Sequence, residues 1–389
     1  MKFSALLAAV TLATGAYALP ANETVEKRAT CSPVTLSGNP FTSRKLFANS
    51  HYGDYVKTAA AAITDSTLSS QALKVADVGS FLWLDTISAL DTLDGHLKSV
   101  PCDQVIGIVV YDLPGRDCAA KASNGELAVG QLSTYKSSYI DALVKIIKAN
   151  TGTAIVALVE PDSLPNLVTN ADLSTCKASK TGYEDGVAYA LKSLNLPNVV
   201  QYVDAGHGGW LGWNDNLKPG AEELAKVYKA AGSPKNVRGF ATNVAGWNAW
   251  SKTPGEFENA PDGQWNKAQD EKRYVSLFSA ALKTAGFPNY AIVDTGRNAV
   301  QGLRDEWGDW CNVNGAGFGV RPTSSTGDSQ TDAFVWVKPG GESDGTSDST
   351  ANRYDSFCGK ADAYKPAPEA GTWNQAYFEM LLKNAIPQF

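Results

Sequence analysis

Histidine is almost missing from this chain. Three occur in 389 residues (His51, His96 and His207), and there is no Cys-x-x-Cys pair. A structural or catalytic zinc site, which draws on such ligands, is disfavoured, and no metal or other cofactor is expected. An excess of positive charge is missing too: 34 Lys and Arg face 40 Asp and Glu, for a net charge of −6. That balance argues against nucleic acid, whose binding proteins present a basic face. No apolar run reaches the length of a spanning helix, so no membrane partner is expected. Gly-x-Ser-x-Gly, P-loop and dinucleotide signatures are absent, and Gly315-x-Gly317-x-Gly319 lacks the spacing of the last. No Ser/Thr/Pro-rich linker divides the chain. What remains open is chemistry on a neutral ligand such as a sugar polymer.

The first 28 residues read as processing signals. Lys2 precedes the apolar Leu6-Leu7-Ala8-Ala9-Val10, and Ala16-Tyr17-Ala18 is a small-x-small cleavage site, so residues 1–18 are expected to be a secretory signal peptide. Lys27-Arg28 looks like a dibasic site closing a propeptide over 19–28, which would carry the sequon Asn22-Glu23-Thr24. A single catalytic domain is expected over 29–389, as a secreted, extracellular monomer. Six cysteines in a secreted chain suggest three disulfides, and spacing alone leaves their pairing open.

Seven apolar runs have strand character: Val78–Leu84, Val105–Tyr111, Ala154–Val159, Val199–Val203, Gly239–Ala241, Tyr290–Val293 and Ala333–Val337. Helical periodicity lies between most of them, at Ser137–Ala149, Asp185–Leu194, Ala221–Ala231 and Tyr274–Ala285, the last stopped by Gly286. Short, continuous, β-branched strands alternating with helices predict an α/β fold with a parallel sheet, nearly enough to close a barrel. Residues 323–353, rich in Ser, Thr, Gly and Asp, read as long surface loops around one strand.

Each run ends in polar or aromatic residues. Asp85, Asp112, Glu160 with Asp162, Asp204 with His207, Asn243, Asp294 with Arg297, and Lys338 with Glu342 and Asp344 follow in turn. In a parallel barrel these ends share one face, where active sites lie. Carboxylates there, with so little histidine, suggest acid–base work by Asp. A carboxyl at Asp162 held against apolar walls would have a raised pKa and could donate a proton, with Asp117 as its charged neighbour; the same two Asp could instead cap helices. Trp210 and Trp213, beside Gly206-His207-Gly208-Gly209, offer indole faces for pyranose rings. Trp83, Trp310 and Trp336 also lie near strand ends, where core packing is the alternative. Lys338-Pro339-Gly340-Gly341-Glu342-Ser343-Asp344 presents charges together, or is a solvated loop.

At these residues the chain closely resembles the family 6 glycoside hydrolases, in particular the fungal cellobiohydrolase II group. The strings that carry the resemblance are Ser80-Phe81-Leu82-Trp83-Leu84-Asp85-Thr86, Val110-Tyr111-Asp112-Leu113-Pro114, Arg116-Asp117-Cys118 and Glu160-Pro161-Asp162-Ser163-Leu164. Asp204-Ala205-Gly206-His207, Gly209-Trp210-Leu211-Gly212-Trp213, Trp307-Gly308-Asp309-Trp310-Cys311-Asn312 and Trp336-Val337-Lys338-Pro339-Gly340-Gly341-Glu342 complete the set. The resemblance spans about residue 40 to the C-terminus. It implies a distorted barrel of about seven parallel strands, with the active site at their carboxyl ends under long loops. It implies inverting hydrolysis of β-1,4-glucan, with cellulose or cello-oligosaccharide as partner and cellobiose released from non-reducing ends. Asp162 matches the family's proton donor and Asp117 the residue supporting that donor's pKa. Ser123 matches a serine on the water chain, Tyr111 a tyrosine pressing on the distorted sugar, and Arg116 an electrostatic partner. Asp344 matches a proposed base. Trp83, Asp85, His207, Trp210, Trp310, Lys338 and Glu342 match sugar contacts, and Trp213 a tryptophan at a tunnel entrance. The resemblance also suggests pairing Cys118 with Cys176 and Cys311 with Cys358, leaving Cys31 with Cys102.

The chain departs from that pattern in places. It carries no cellulose-binding module or linker, which predicts weak affinity for crystalline cellulose. Ser343 stands where the family often has Cys, Gly246 where a sugar-contacting Asn is typical, and Gly115 where an acidic residue is common. Segments of about 113–135 and 338–366 have the full length of roofing loops, which favours exo action over an open-cleft endoglucanase. A non-catalytic carbohydrate-binding barrel is the reading from another class.

Overall fold

The computed structural model describes residues 31–389; the expected signal peptide and propeptide, and the sequon, lie outside the described residues. Eight parallel strands form one sheet: β1 (Lys45–Leu46), β2 (Leu82–Leu84), β3 (Gln104–Val110), β4 (Ala154–Val159), β5 (Val199–Asp204), β6 (Val237–Thr242), β7 (Tyr290–Asp294) and β8 (Thr331–Val335). From β3 to β8 each strand pairs with the next in sequence. β1 and β2 share the far side of β3: Lys45 and Leu46 lie against Gln104 and Val105, and Leu82–Leu84 against Ile108–Val110. Seven positions around the sheet therefore hold eight strands, matching the distorted barrel expected.

The barrel nearly closes. Phe81 N–H donates to Trp336 O at 2.9 Å and the Trp83 indole donates to Val337 O at 2.8 Å, bridging β2 to the end of β8. Side chains alternate along each strand. Val105, Val109, Val156, Leu158, Tyr202, Ile292 and Val335 fill the barrel interior, whereas Ile106, Ile108, Val110, Ile155 and Val159 pack outward under the helices. Burial on both faces explains why these strands read as unbroken apolar runs rather than alternating ones. Gly107 is required within β3, because a Cβ there would lie 2.5 Å from the Phe81 ring that plugs the interior.

The helices run further than periodicity indicated: Ser174–Ser193, Asn214–Ala230 and Glu271–Ala285 extend the predicted segments toward their N-termini. The extra turns are polar, so they carry no apolar stripe to read. Asp270 caps the last helix by accepting from Arg273 N–H, and Gly286 ends it at φ 85°. Ser137–Ala149 is an α-helix only over Asp141–Ala149, preceded by a π-helical turn at Tyr135–Ile140. Val78–Leu84 is strand only at Leu82–Leu84, and β1 is too short to leave a sequence signal. The expectation of surface loops over 323–353 fails at its centre: Ser343, Asp344 and Thr346 are buried, because the segment after β8 folds over the barrel mouth. No described helix is long and apolar enough to cross a membrane.

Candidate active site

All strand ends open onto one face, and strained backbone gathers there. Asp117, Glu160, Asp162, Asn243 and Ala245 have φ between 52° and 62°, a conformation that costs energy for non-glycine residues and recurs at functional sites. Glu160 and Asp162 make the sharp turn from β4 into the helix Ser163–Thr169. Asp162 stands at the N-cap position, yet its side chain caps nothing. Its N–H instead donates to Asp204 Oδ2 at 3.0 Å, which draws the end of β5 against the turn. Burial and the negative charges of Asp117 and Asp204 hold the Asp162 carboxyl well above its usual range.

Asp117 is buried as well, with different company. Tyr111 donates its hydroxyl to Asp117 Oδ2 at 2.5 Å. Burial raises the Asp117 pKa, while Arg116, the Ser123 and Tyr111 hydroxyls and Arg353 pull it back. Oδ1 has no partner within good hydrogen-bond geometry; the Ser123 hydroxyl still lies near enough to favour the ionised form. Arg116 makes no direct ion pair. It donates to the carbonyls of Asp85, Tyr111 and Ser123, at 2.7, 2.5 and 3.0 Å, and lies 4.1 Å over the Tyr111 ring. It therefore shapes the loop that holds Asp117 and adds its charge from behind.

Asp344 is engaged on both oxygens. Arg297 Nη1 donates to each at 2.9 Å, and Asn312 N–H donates to Oδ2 at 2.9 Å. Arg297 itself lies 3.9 Å over the Trp247 ring.

The remaining expected residues fall into two groups. Tyr111 meets Trp83 edge-on at 5.1 Å, Lys338 Nζ lies 5.8 Å over Trp83, and Lys338 pairs with Glu342 at 3.4 Å; Asp85 is exposed beside them. The second group sits after β5. Trp210 donates to Thr169 Oγ1 at 2.7 Å and Trp213 to Gly209 O at 2.8 Å, with His207 6.1 Å from Trp210. Gly209 is needed there, since a Cβ would strike the Trp307 indole at 2.2 Å. Trp310 packs against Phe357 at 6.0 Å, and its carbonyl accepts from Trp247. Trp336 is core, stacked on Phe318 at 5.1 Å.

Sequence reading missed Asn248, Glu271 and Arg304, and the contacts that Arg297 and Asn312 make. Asn248, Glu271 and Arg304 surround His207 but lie on a loop, a helix start and a loop that carry no strand-end signal. Arg297 and Asn312 clamp Asp344 from separate loops. The departures have local reasons. Gly115 sits at φ 70° with Ser179 Oγ and Val129 Cγ2 at 2.5 and 2.6 Å from any added Cβ. At Gly246 a Cβ would meet Asn243 Oδ1 at 2.2 Å. The Ser343 hydroxyl is satisfied, donating to Pro368 O at 2.8 Å and accepting from Asn312 Nδ2 at 3.2 Å.

Three disulfides pair Cys31 with Cys102, Cys118 with Cys176, and Cys311 with Cys358, as the resemblance implied. The second anchors the Asp117 loop to the helix Ser174–Ser193, and the third joins the loops that follow β7 and β8.

Comparison with known proteins gives the family. The model of the glycosyl hydrolases family 6 matches residues 41–385. The chain is 60% identical to a 1,4-beta-D-glucan cellobiohydrolase CEL6C of Podospora anserina, over all of this chain and 99% of that protein. It is 49% identical to exoglucanase 3 of Agaricus bisporus, over 90% of this chain and 80% of that one. Among solved structures, cellobiohydrolase II of Humicola insolens in complex with glucose and cellotetraose superposes with a TM-score of 0.86 at 48% identity, covering 90% of this chain and all of that one. This chain belongs to family 6 of the glycosyl hydrolases.

Proposed function

We propose that this protein is a secreted cellobiohydrolase that cleaves β-1,4-glucan with inversion and releases cellobiose from non-reducing ends. The names of its relatives, cellobiohydrolase and exoglucanase, support the substrate. The observation that carries the mechanism is the asymmetry between Asp162 and Asp117. Asp117 has Tyr111, Ser123 and Arg116 to favour its ionised form; Asp162 has burial and two acidic neighbours to keep its proton. The proton therefore resides on Asp162, which acts as general acid toward the leaving oxygen.

An inverting enzyme also needs a base for the attacking water. Asp344, with both oxygens occupied, is a poor direct base. The Asp117–Tyr111–Ser123 cluster is the better acceptor, through water. Tyr111 and Trp83 wall the glycone side with Asp85, Lys338 and Glu342. His207, Trp210, Trp213 and Trp310 supply further stacking and hydrogen-bonding surface for the glucan.

Exo action rests on the loops. Lys121 N–H donates to Asp355 Oδ2 at 3.0 Å, and Arg353 donates to Asn124 O at 3.4 Å. The loop bearing Asp117 and the loop after β8 thus touch, as a roof would. Residues 1–18 as signal, 19–28 as propeptide and three disulfides in a single catalytic domain support secretion. The protein acts as a monomer on cellulose chains or cello-oligosaccharides and needs no cofactor.

Digestion of cellohexaose followed by proton NMR tests this reading. Early α-cellobiose is the expected product. A β-anomer would overturn inversion, abundant cellotriose would favour an open cleft, and no turnover would point to a carbohydrate-binding barrel.

A further inference from the structure

His207 is embedded in a hydrogen-bond network that fixes where its proton sits. Its Nδ1 faces the N–H of Gly209 at 3.1 Å. A backbone N–H can only donate, so Nδ1 carries a lone pair and not a proton. Asn248 Nδ2 lies 3.1 Å from the same nitrogen. The orientation of that amide is fixed by its other contacts. Arg304, which can only donate, gives a hydrogen bond to Asn248 Oδ1 at 2.8 Å, and Asn248 Nδ2 donates to Glu271 Oε1 at 2.6 Å. The Asn248 backbone is held too: its N–H donates to Asn243 Oδ1 at 3.1 Å, and its carbonyl accepts from Asn298 at 2.9 Å. Glu271 is anchored by Gly208 N–H and the Thr242 hydroxyl, and Arg304 by Glu256.

We propose that Asn248, clamped by Arg304 and Glu271, is a positioning residue that together with the Gly209 N–H locks His207 as the neutral Nε2–H tautomer, presenting one hydrogen-bond donor to a glucose hydroxyl. This rests on the family reading for the sugar contact, but the tautomer follows from the protein alone. The charged groups around the ring are Arg304, Glu271 and Glu256. Glu271 reaches the ring only through the Asn248 amide, and Glu256 is spent on Arg304. Burial and the Arg304 charge accordingly push the His207 pKa down to about 3. The contact keeps its sign down to about pH 4: it remains a donor and does not become a mobile cation.

The test is a two-bond proton–nitrogen correlation on protein labelled with 15N-histidine, from about pH 4 to 8. His207 is expected to show a protonated Nε2 and an unprotonated Nδ1 throughout. An Nδ1–H pattern, or titration in the ordinary histidine range, would overturn the proposal. Asn248→Asp puts a carboxylate against Nδ1. It should move a proton to that nitrogen, raise the His207 pKa by about a unit or more, and raise KM for cellotetraose about tenfold with kcat within about twofold. If that variant does not fold, Asn248→Ser removes one of the two donors to Nδ1; with the Gly209 N–H left alone the Nε2–H tautomer should persist, with the Nδ1 resonance shifted and a similar KM effect. A tautomer unchanged in folded Asn248→Asp, or an Nδ1 resonance unchanged in folded Asn248→Ser, would overturn the role of Asn248, and an unchanged KM with either change present would overturn the sugar contact. A wild-type chain without turnover would overturn the proposed function while leaving the tautomer measurable.

Discussion

The Tyr111 hydroxyl donates to Asp117 Oδ2 across 2.5 Å, both groups buried. The bond favours the carboxylate form of Asp117, and so helps leave the shared proton on Asp162. Tyr111→Phe removes that donor and raises the Asp117 pKa. Because Asp117 must be ionised to act, activity is lost as pH falls through a higher value than before. The acidic limb of kcat against pH should move up by about a unit, and kcat at the optimum should fall roughly tenfold or more. A pH–rate profile on a soluble cello-oligosaccharide reads both.

Glu160 gives a stability prediction independent of activity. Burial pushes its pKa up to about 8; only Oε1 finds partners, the Tyr135 hydroxyl at 2.7 Å and Asp112 N–H at 3.3 Å. The folded value lies above the unfolded one, so the native state binds more protons between the two. The stabilisation is full below the unfolded pKa and is lost as pH rises through about 8. Over that window the slope is about 1.4 kcal/mol per pH unit for this group. Tm against pH should fall between about pH 4.5 and about 8, and Glu160→Gln should flatten the fall.

Asp344 and Arg297 form a buried ion pair in which one guanidinium nitrogen, Nη1, bridges both carboxylate oxygens, with Arg297 essentially without solvent. Asp344→Ala strands that charge. A loss of about 3–5 kcal/mol is expected in urea unfolding, because a buried partner is left uncompensated. If Asp344 were the direct base, activity of the variant would recover with an added nucleophile such as azide. We expect no such rescue.

The barrel and the residues at its mouth were legible because chemistry and pattern coincided there. Strands buried on both faces write themselves as continuous β-branched runs, and each hands over to polar residues at one end. Asp162, Asp117 and Tyr111 could be picked out on that basis. The bonds that govern them could not. Arg297 reaches Asp344 across 47 positions of sequence and Asn248 reaches His207 across 41, and no local periodicity records a bond between loops. The polar first turns of the helices vanished for the same reason: only the apolar stripe is periodic. Ser343 and Asp344 fall in a stretch that reads as surface loop because Gly, Ser and Asp usually mean solvent, although Asp344 is also a strand-end carboxylate; here they line a folded-over segment.

The roof offers the sharpest test of exo action. Asp355 accepts from Lys121 N–H through Oδ2 and from Phe357 N–H through Oδ1, so one side chain both orders its own turn and fastens the Asp117 loop. Asp355→Ala removes the fastening across loops that the disulfides do not join to each other directly: Cys118–Cys176 ties one to a helix, and Cys311–Cys358 ties the other to the β7 loop. The variant should stay folded, at a cost of about 1–2 kcal/mol for the lost bonds. With the roof loosened, internal bonds of a long chain gain access to Asp162. The viscosity of carboxymethyl cellulose should then drop several-fold faster per reducing end released than with the unaltered protein. An unchanged ratio would mean that this contact does not close the cleft.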